Sequence, residues 1–358
     1  MTPTRRPAME HDVAIVSFAQ STSVDDHRSE PELLLPVIRD ACDAVGLLTQ
    51  DMGFVVSGSS DYLAGRPFSF VSALDAIGAW PPLTESHVEM DGAFALYEAV
   101  LRLQHGDIDT ALVYSFGVSS MSDVARTVAL QLDPYHVAPL MPDAHALAGL
   151  QARALLDSGR VTERDVAEVL ARCLRDAGHN DHAIRFMDIA VEDVLAQPRP
   201  MDPLRDLDVP PVTDGCAVMI LATAEKALEL TDTPVFITGI DHRIEAHGLG
   251  VRDLTTSVST RQAAQAAGAL GRRVDLAELH AVTPHQELIL RAALELDAAT
   301  VVNPSGGALV ANPFMSAGLI RIGEAASRIM SGEGRSAIAH ASSGPLLQQN
   351  LVTVLEAA

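Results

Sequence analysis

The sequence predicts an α/β fold made of two similar halves with a helical insertion between them. Three observations carry that expectation. Short apolar runs bounded by Gly and Ser alternate with amphipathic stretches of helical period over residues 12–120, and again after residue 230. That is the pattern of strand–helix–strand units with a largely parallel core. Residues 121–211 break the alternation with helices and two proline clusters. Finally, a helix bounded by Gly92 and Gly106, then Asp107 and a strand at Ala111, is echoed by one bounded by Gly318 and Gly332, then Glu333 and a strand at Ala337. A repeat of this kind marks a duplicated unit. It predicts that the two helix heads lie near a pseudo-twofold axis and converge on one site.

The elements follow in order. "DVAIVSFAQS" (12–21) reads as a buried strand and "EPELLLPVIRDACDAVG" as an amphipathic helix ending at Gly46. "MGFVVSGSS" is a second strand stopped by Gly and Ser. In "ESHVEMDGAFALYEAVLRLQHGD" (85–107), Phe94, Tyr97 and Leu101 recur at helical spacing, and Ala95, Leu96, Val100 and Leu103 widen the apolar stripe. The turn before that helix holds Glu89, Met90, Asp91 and Gly92. "DTALVYSFGVSS" (109–120) is a third strand. After the helical middle, "CAVMILATAEKALEL" returns to strand then helix, and "TPVFITGIDHRIE" opens the second half. The division expected is 1–120 for the first half (completed by a strand near 215–230), 121–213 for a covering loop domain, and 231–358 for the second half.

The formal net charge is −22, from 25 Lys and Arg against 47 Asp and Glu. A surface of that sign excludes nucleic acid and anionic membrane as partners. No run of about 18 apolar residues offers a transmembrane span. "MTPTRRPAMEHD" has no apolar core after its arginines, so it does not read as a signal peptide. Cys42, Cys173 and Cys216 show no metal-knuckle or redox spacing. Free thiols in a chain this size fit the cytoplasm.

Three segments carry a family resemblance. "VEDVLAQPRPMDPLRDLDVPPVTDGCAVMILA" (191–222) is similar to a pattern of V-E-D-V-L, D-P-L-R-x-x-D and S-D-G-A-A. "DLAELH" (275–280) resembles the D-x-x-E-L-H that precedes an H-D-C-F motif. "VNPSGGALVANP" (302–313) resembles N-x-x-G-G-x-x-x-x-H-P. Together, and in this order, they resemble the thiolase superfamily, most closely the sterol-carrier-protein-x type and the bacterial lipid-transfer-protein relatives. The resemblance implies the thiolase fold: duplicated βαβαβαββ halves in a five-layer αβαβα arrangement, with a helical loop domain. It also implies a pocket for a coenzyme A thioester, with Gly306, Gly307 and Gly344 as ligand-binding glycines, and a homodimer.

The family chemistry is missing. A thiolase needs a cysteine thiolate at a buried helix head, its pKa lowered by the helix N-terminus and its proton taken by a histidine. Counting back from Gly92, that cysteine falls at Glu89, with Asp91 the nearest alternative. The activating histidine aligns with Asn312. The second cysteine falls around Ala341 or Ser342, and the H-D-C-F motif keeps only His280. Cysteine-dependent thiolysis or condensation is therefore not expected.

The polar groups expected at the vacated site are Glu89, His280, Asn312 and His340. His280 and Asn312 can hold a thioester oxygen, and Glu89 can act as a base or orient His340. Plainer roles stand beside these. Glu89 or Asp91 can simply cap the helix, His280 can end a strand, Asn312 can hold a turn, and His340 can be structural. His285 reads as a solvated helix start. His179 and His182 read as a polar loop rather than a metal site.

Two functions of different class follow. One is a thiolase-like protein binding an acyl-CoA or lipid-CoA thioester, with no resident cofactor and no metal. The alternative is a retro-aldol lyase cutting a β-hydroxyacyl-CoA, of steroid or other lipid side chain, beside a small OB-fold, zinc-ribbon subunit. Such aldolases are thought to use tyrosines in the C-terminal half, and this chain has none after Tyr135.

Overall fold

The computed structural model describes residues 12–78 and 82–358. The signal-peptide reading rests on residues 1–11, outside the described residues. The first half runs β1 (Val13–Ser23), α1 (Glu30–Asp43), β2 (Phe54–Gly58), α2 (Asp61–Ala64), α3 (Ser69–Ile77), β3 (Glu85–Val88), α4 (Gly92–His105) and β4 (Thr110–Val118). Helices α5 (Val124–Leu130), α6 (Ala144–Asp157), α7 (Glu163–Asp176) and α8 (Val191–Leu195) then intervene, before β5 (Val212–Thr223) and α9 (Ala224–Leu230). The second half runs β6 (Val235–Ile244), α10 (Val258–Ala267), β7 (Leu276–Leu279), α11 (Pro284–Leu294), β8 (Val301–Val302), β9 (Asn312–Pro313), α12 (Ala317–Met330), β10 (Ser336–Ser343) and β11 (Gln349–Ala357).

The strand order shows the duplication. The path is β3-β2-β4-β5-β1-β6-β11-β10-β7-β8, with β9 paired only to β5. Read inward from either edge, the two halves have the same order and the same sense. β2 pairs parallel with β3 and β4, as β7 does with β8 and β10. The next two pairings are antiparallel in each half: β4–β5 and β5–β1, then β10–β11 and β11–β6. Each half is therefore mixed rather than largely parallel. Continuous apolar runs look alike in buried strands of either sense, so the sequence pattern could not separate them. The halves meet along β1 and β6 through just Ala14↔Phe236 and Ile15↔Val235.

Side-chain alternation sorts the layers. On β1, Val13 and Ile15 face a central core shared with α4 and α12, while Ala14 and Val16 face an outer core with α1 and α3. On β10, Ala337, Ala339 and Ala341 face the central core, and Ile338 faces the outer core of α10 and α11. Helices α4 and α12 are thus the middle of five layers, αβαβα. Both span 14 residues. Gly106 caps α4 at φ +80°, and Gly332 follows α12 at φ +82°, a left-handed conformation that suits glycine. The helices between β4 and β5 form two further clusters, one on α7 and α8 and one on α5 and α6, and cover the ends of the strands.

Candidate functional site

A cavity of about 370 Å³ lies between this helical cover and the heads of α4 and α12. Its walls are apolar: Val124 and Val128 from α5, Leu147 from α6, then Pro210, Phe314 and Leu346. Val124 and Val128 sit four residues apart and so share one helix face. The polar groups on it include Asp91, His280, Asn312 and Ser342. A larger open depression of about 760 Å³ around Asp51, Arg102 and Lys226 holds none of the candidate residues.

Asp91 is the N-cap of α4 and is buried. Its Oδ1 accepts from the Ala93 N–H at 2.9 Å and the Leu319 N–H at 3.0 Å, and its Oδ2 accepts from the Gly318 N–H at 2.8 Å. One carboxylate therefore caps α4 and α12 together, satisfying N–H groups that a helix start leaves unpaired. Ser316, the N-cap position of α12, makes no capping bond, and its buried hydroxyl has no partner among the described residues. The two heads approach because Gly92 and Gly318 carry no Cβ. One on Gly92 would meet Ser115 Oγ at 2.7 Å, and one on Gly318 would meet Asp91 and Ala341. Burial pushes the Asp91 carboxyl up to about 7, against the pull of its three N–H bonds.

His280 follows β7 and is buried. The Ser342 N–H donates to its Nδ1 at 3.2 Å, so the proton sits on Nε2, which donates to Asn312 Oδ1 at 3.2 Å. Burial pushes the imidazole down to about 4, the Asn312 bond opposes this, and the nearby Arg321 guanidinium adds to it. The ring is therefore neutral at physiological pH. Asn312 is placed by the β9–β5 pairing, and its N–H donates to Thr213 Oγ1 at 3.3 Å. With its oxygen engaged, the Asn312 amide has N–H donors to offer a carbonyl oxygen.

The structure brings three of the sequence candidates to this cavity and separates four from it. His280, Asn312 and Gly344 line it. Glu89 does not: its oxygens accept from the Asp61 N–H at 2.9 and 3.0 Å, outside the cavity. Asp91, the alternative in the count back from Gly92, stands at the helix head instead. Glu89 lies two residues further from the helix, and the side chain that reaches the helix N–H groups is the N-cap. His340 is fully buried but faces the other side of β10. Its Nε2 bonds Asn350 Oδ1 at 3.0 Å, and Asn350 bonds Ser259 of α10 at 2.6 Å. Period-two alternation turns Ala341, not His340, toward α12. Gly306 packs against Ala177 and Cys173 of the cover, and Gly307 against Asn303. His285 does start α11 but is buried, 1% exposed, not solvated.

Sequence reasoning treated Asp91 mainly as a cap and missed the cover residues. Aspartate directly before an apolar helix was the available signal. Ser119, whose buried hydroxyl has no protein partner, also lines the cavity and had no signal. None of the three cysteines lines it. All are buried, and burial pushes Cys42 up to about 11, Cys216 up to about 12 and Cys173 upward as well. None is a thiolate at neutral pH.

No family model matches the chain. Two acetyl-CoA acetyltransferases are similar in sequence. That of Methanothermobacter thermautotrophicus is 29% identical over 215 residues, covering 56% of this chain and 54% of that protein. The chain thus spans about half the length of that relative. That of Methanocaldococcus jannaschii is 26% identical over 349 residues, covering 87% and 88%. Among solved structures, the Ltp2-ChsH2(DUF35) aldolase superposes with a TM-score of 0.79 at 16% identity, covering 97% of this chain and 98% of that one. A monomeric SCP2-thiolase like protein type 1 from Mycobacterium smegmatis gives 0.75 at 18% identity, covering 96% and 77%. The duplicated five-layer architecture is the thiolase fold.

Proposed function

We propose that this chain, a thiolase-like protein of the lipid-transfer type, binds the acyl end of a coenzyme A thioester in its cavity without cysteine-dependent thiolysis or condensation. The observation that carries the reading is Asp91 at the head of α4, on the cavity, where the chemistry of a thiolase requires a thiolate. A hydrogen-bonded carboxylate does not substitute for a thiolate as acyl acceptor. The apolar wall of α5 and α6 suits an acyl chain, a steroid side chain or other bulky lipid included, and a cavity of about 370 Å³ is in the ordinary range for small ligands. The Asn312 amide supplies the donor for the thioester oxygen, and the His280 Nε2–H holds that amide in place by bonding its oxygen.

Calorimetry with acetyl-CoA and with a steroid-side-chain CoA tests this. The expected result is tighter binding of the bulky thioester, with no shortened acyl-CoA after hours. No binding of either thioester overturns the proposal.

A second reading is retro-aldol cleavage, favoured by the buried Asp91 carboxyl at about 7, a base matched to neutral pH. Asp91 would take the proton of a β-hydroxyl. The Cα–Cβ bond would break to a ketone or aldehyde, leaving a thioester enolate held by Asn312, and Asp91 would return its proton to the enolate Cα. The likeness to the Ltp2-ChsH2(DUF35) aldolase supports it, and supports a partner subunit of the DUF35 kind. Release of shortened acyl-CoA, abolished by Asp91→Asn with binding retained, would select this reading. A homodimer and a cytoplasmic location remain part of the proposal; no helix among the described residues is long and apolar enough to cross a membrane.

A further inference from the structure

Glu89, displaced from the cavity, belongs to another constellation. Asp61 at the start of α2, His87 on β3 and Glu89 offer ligand atoms that all lie within 4.8 Å of one another. His87 is held as a metal-binding imidazole is held. Its Nδ1 lies 3.0 Å from Ser57 Oγ, and its ring stacks on Phe70 with centroids 5.0 Å apart. Fixing one ring nitrogen in this way orients the other. That other nitrogen, Nε2, is shut off from solvent and has no hydrogen-bond partner among the described residues. It faces Glu89 Oε2 at 3.6 Å, beyond hydrogen-bond reach.

The two carboxylates are also held in place. Glu89 accepts from the Asp61 N–H, and Asp61 accepts from the Ser69 and Phe68 N–H groups at 2.8 and 2.9 Å. Each of these oxygens still has a second lone pair. A tetrahedral zinc ion with bonds of about 2.0–2.2 Å holds neighbouring ligand atoms roughly 3.4 Å apart. The imidazole and Glu89 already stand at 3.6 Å.

We propose that His87 Nε2 and one oxygen each of Asp61 and Glu89 bind a zinc-class divalent cation, with water completing the coordination. One imidazole with two carboxylates is a donor set suited to zinc. The ion would tie α2 to β3 and steady the turn that carries Asp91, two residues beyond Glu89.

The test is zinc chloride titrated by calorimetry into the full chain after chelator treatment, with cobalt(II) absorption as a second readout. One zinc per chain is expected. His87→Ala should abolish that binding. Ser57→Ala should weaken it about 10–100-fold while leaving the ligands in place. Glu89→Gln keeps an acceptor for the Asp61 N–H, so it should fold and still lose affinity. Equal zinc binding by wild type and both ligand variants, or none by wild type, would overturn the proposal and leave an imidazole packed beside two carboxylates.

Discussion

The Asp91 carboxylate of the first half accepts the Gly318 N–H of the second at 2.8 Å, while also capping its own helix. This one side chain makes the two duplicated helix heads a single site. It also stands on the cavity, two residues from Glu89, the position the resemblance assigns to the catalytic sulfur, so its charge state bears on the stability of that site.

That charge state is measurable. The folded protein holds the Asp91 proton more tightly than the unfolded chain, with a carboxyl raised from 3.8 to about 7. The stabilisation from the protonated form is complete below about pH 4 and lost as pH rises through about 7. Asp91→Asn cannot ionise. Urea unfolding across this range should show wild type losing stability relative to Asp91→Asn from about pH 4 to pH 7, then levelling. A difference independent of pH would mean that the buried carboxyl is not raised.

Three buried imidazoles act in the opposite sense. Burial lowers His280 from 6.5 to about 4, and His285 and His340 to about 3. Their contribution is present above about pH 6.5 and lost as pH falls through 4 and 3. His285 is the informative one, because neither of its ring nitrogens has a partner among the described residues. His285→Leu should leave stability at pH 7 unchanged or raised by about 1 kcal/mol, and should make acid unfolding less steep. Loss of more than about 2 kcal/mol at pH 7 would mean that the ring does have partners.

Gly318 should tolerate nothing larger. An added Cβ would press on the Asp91 carboxylate and lie 2.7 Å from Ala341 Cβ. Gly318→Ala should cost about 1–3 kcal/mol, lower the melting temperature by several degrees and weaken thioester binding. Gly159→Ala is an instructive contrast, since its φ of +69° strains any side chain but nothing lies near. It should lower stability without touching ligand binding.

Thiol chemistry should be irrelevant. Iodoacetamide at neutral pH should modify Cys42, Cys173 and Cys216 slowly, because all are buried with raised thiols. Thioester binding should be unchanged after treatment, as followed by calorimetry and intact mass. Loss of binding in step with alkylation would return a cysteine to the site.

The duplicated α/β halves, the helical insertion and the missing nucleophile were all legible in the sequence. They rest on local causes: hydrophobic period, Gly at helix ends, Asp before a helix, and residue identity at a motif position. Motif order brought His280 and Asn312 together as candidates, and both line the cavity. Glu89 and His340 lie away from the cavity for geometric reasons, and Gly306 and Gly307 pack elsewhere. One residue along a strand reverses the face, and two residues before a helix change which carboxylate meets the backbone N–H groups.

The sequence by itself determined that this chain has a thiolase-like scaffold without a catalytic thiol, because absence of cysteine from a segment needs no coordinates. Tertiary structure alone decided what replaced it. Asp91 reaches the Gly318 N–H, 227 residues away in the chain, and its carboxyl is raised by burial that only packing creates. The same packing seated Glu89 beside His87. Pairing between distant elements and the desolvation that follows are properties of the folded chain, and no local pattern encodes them.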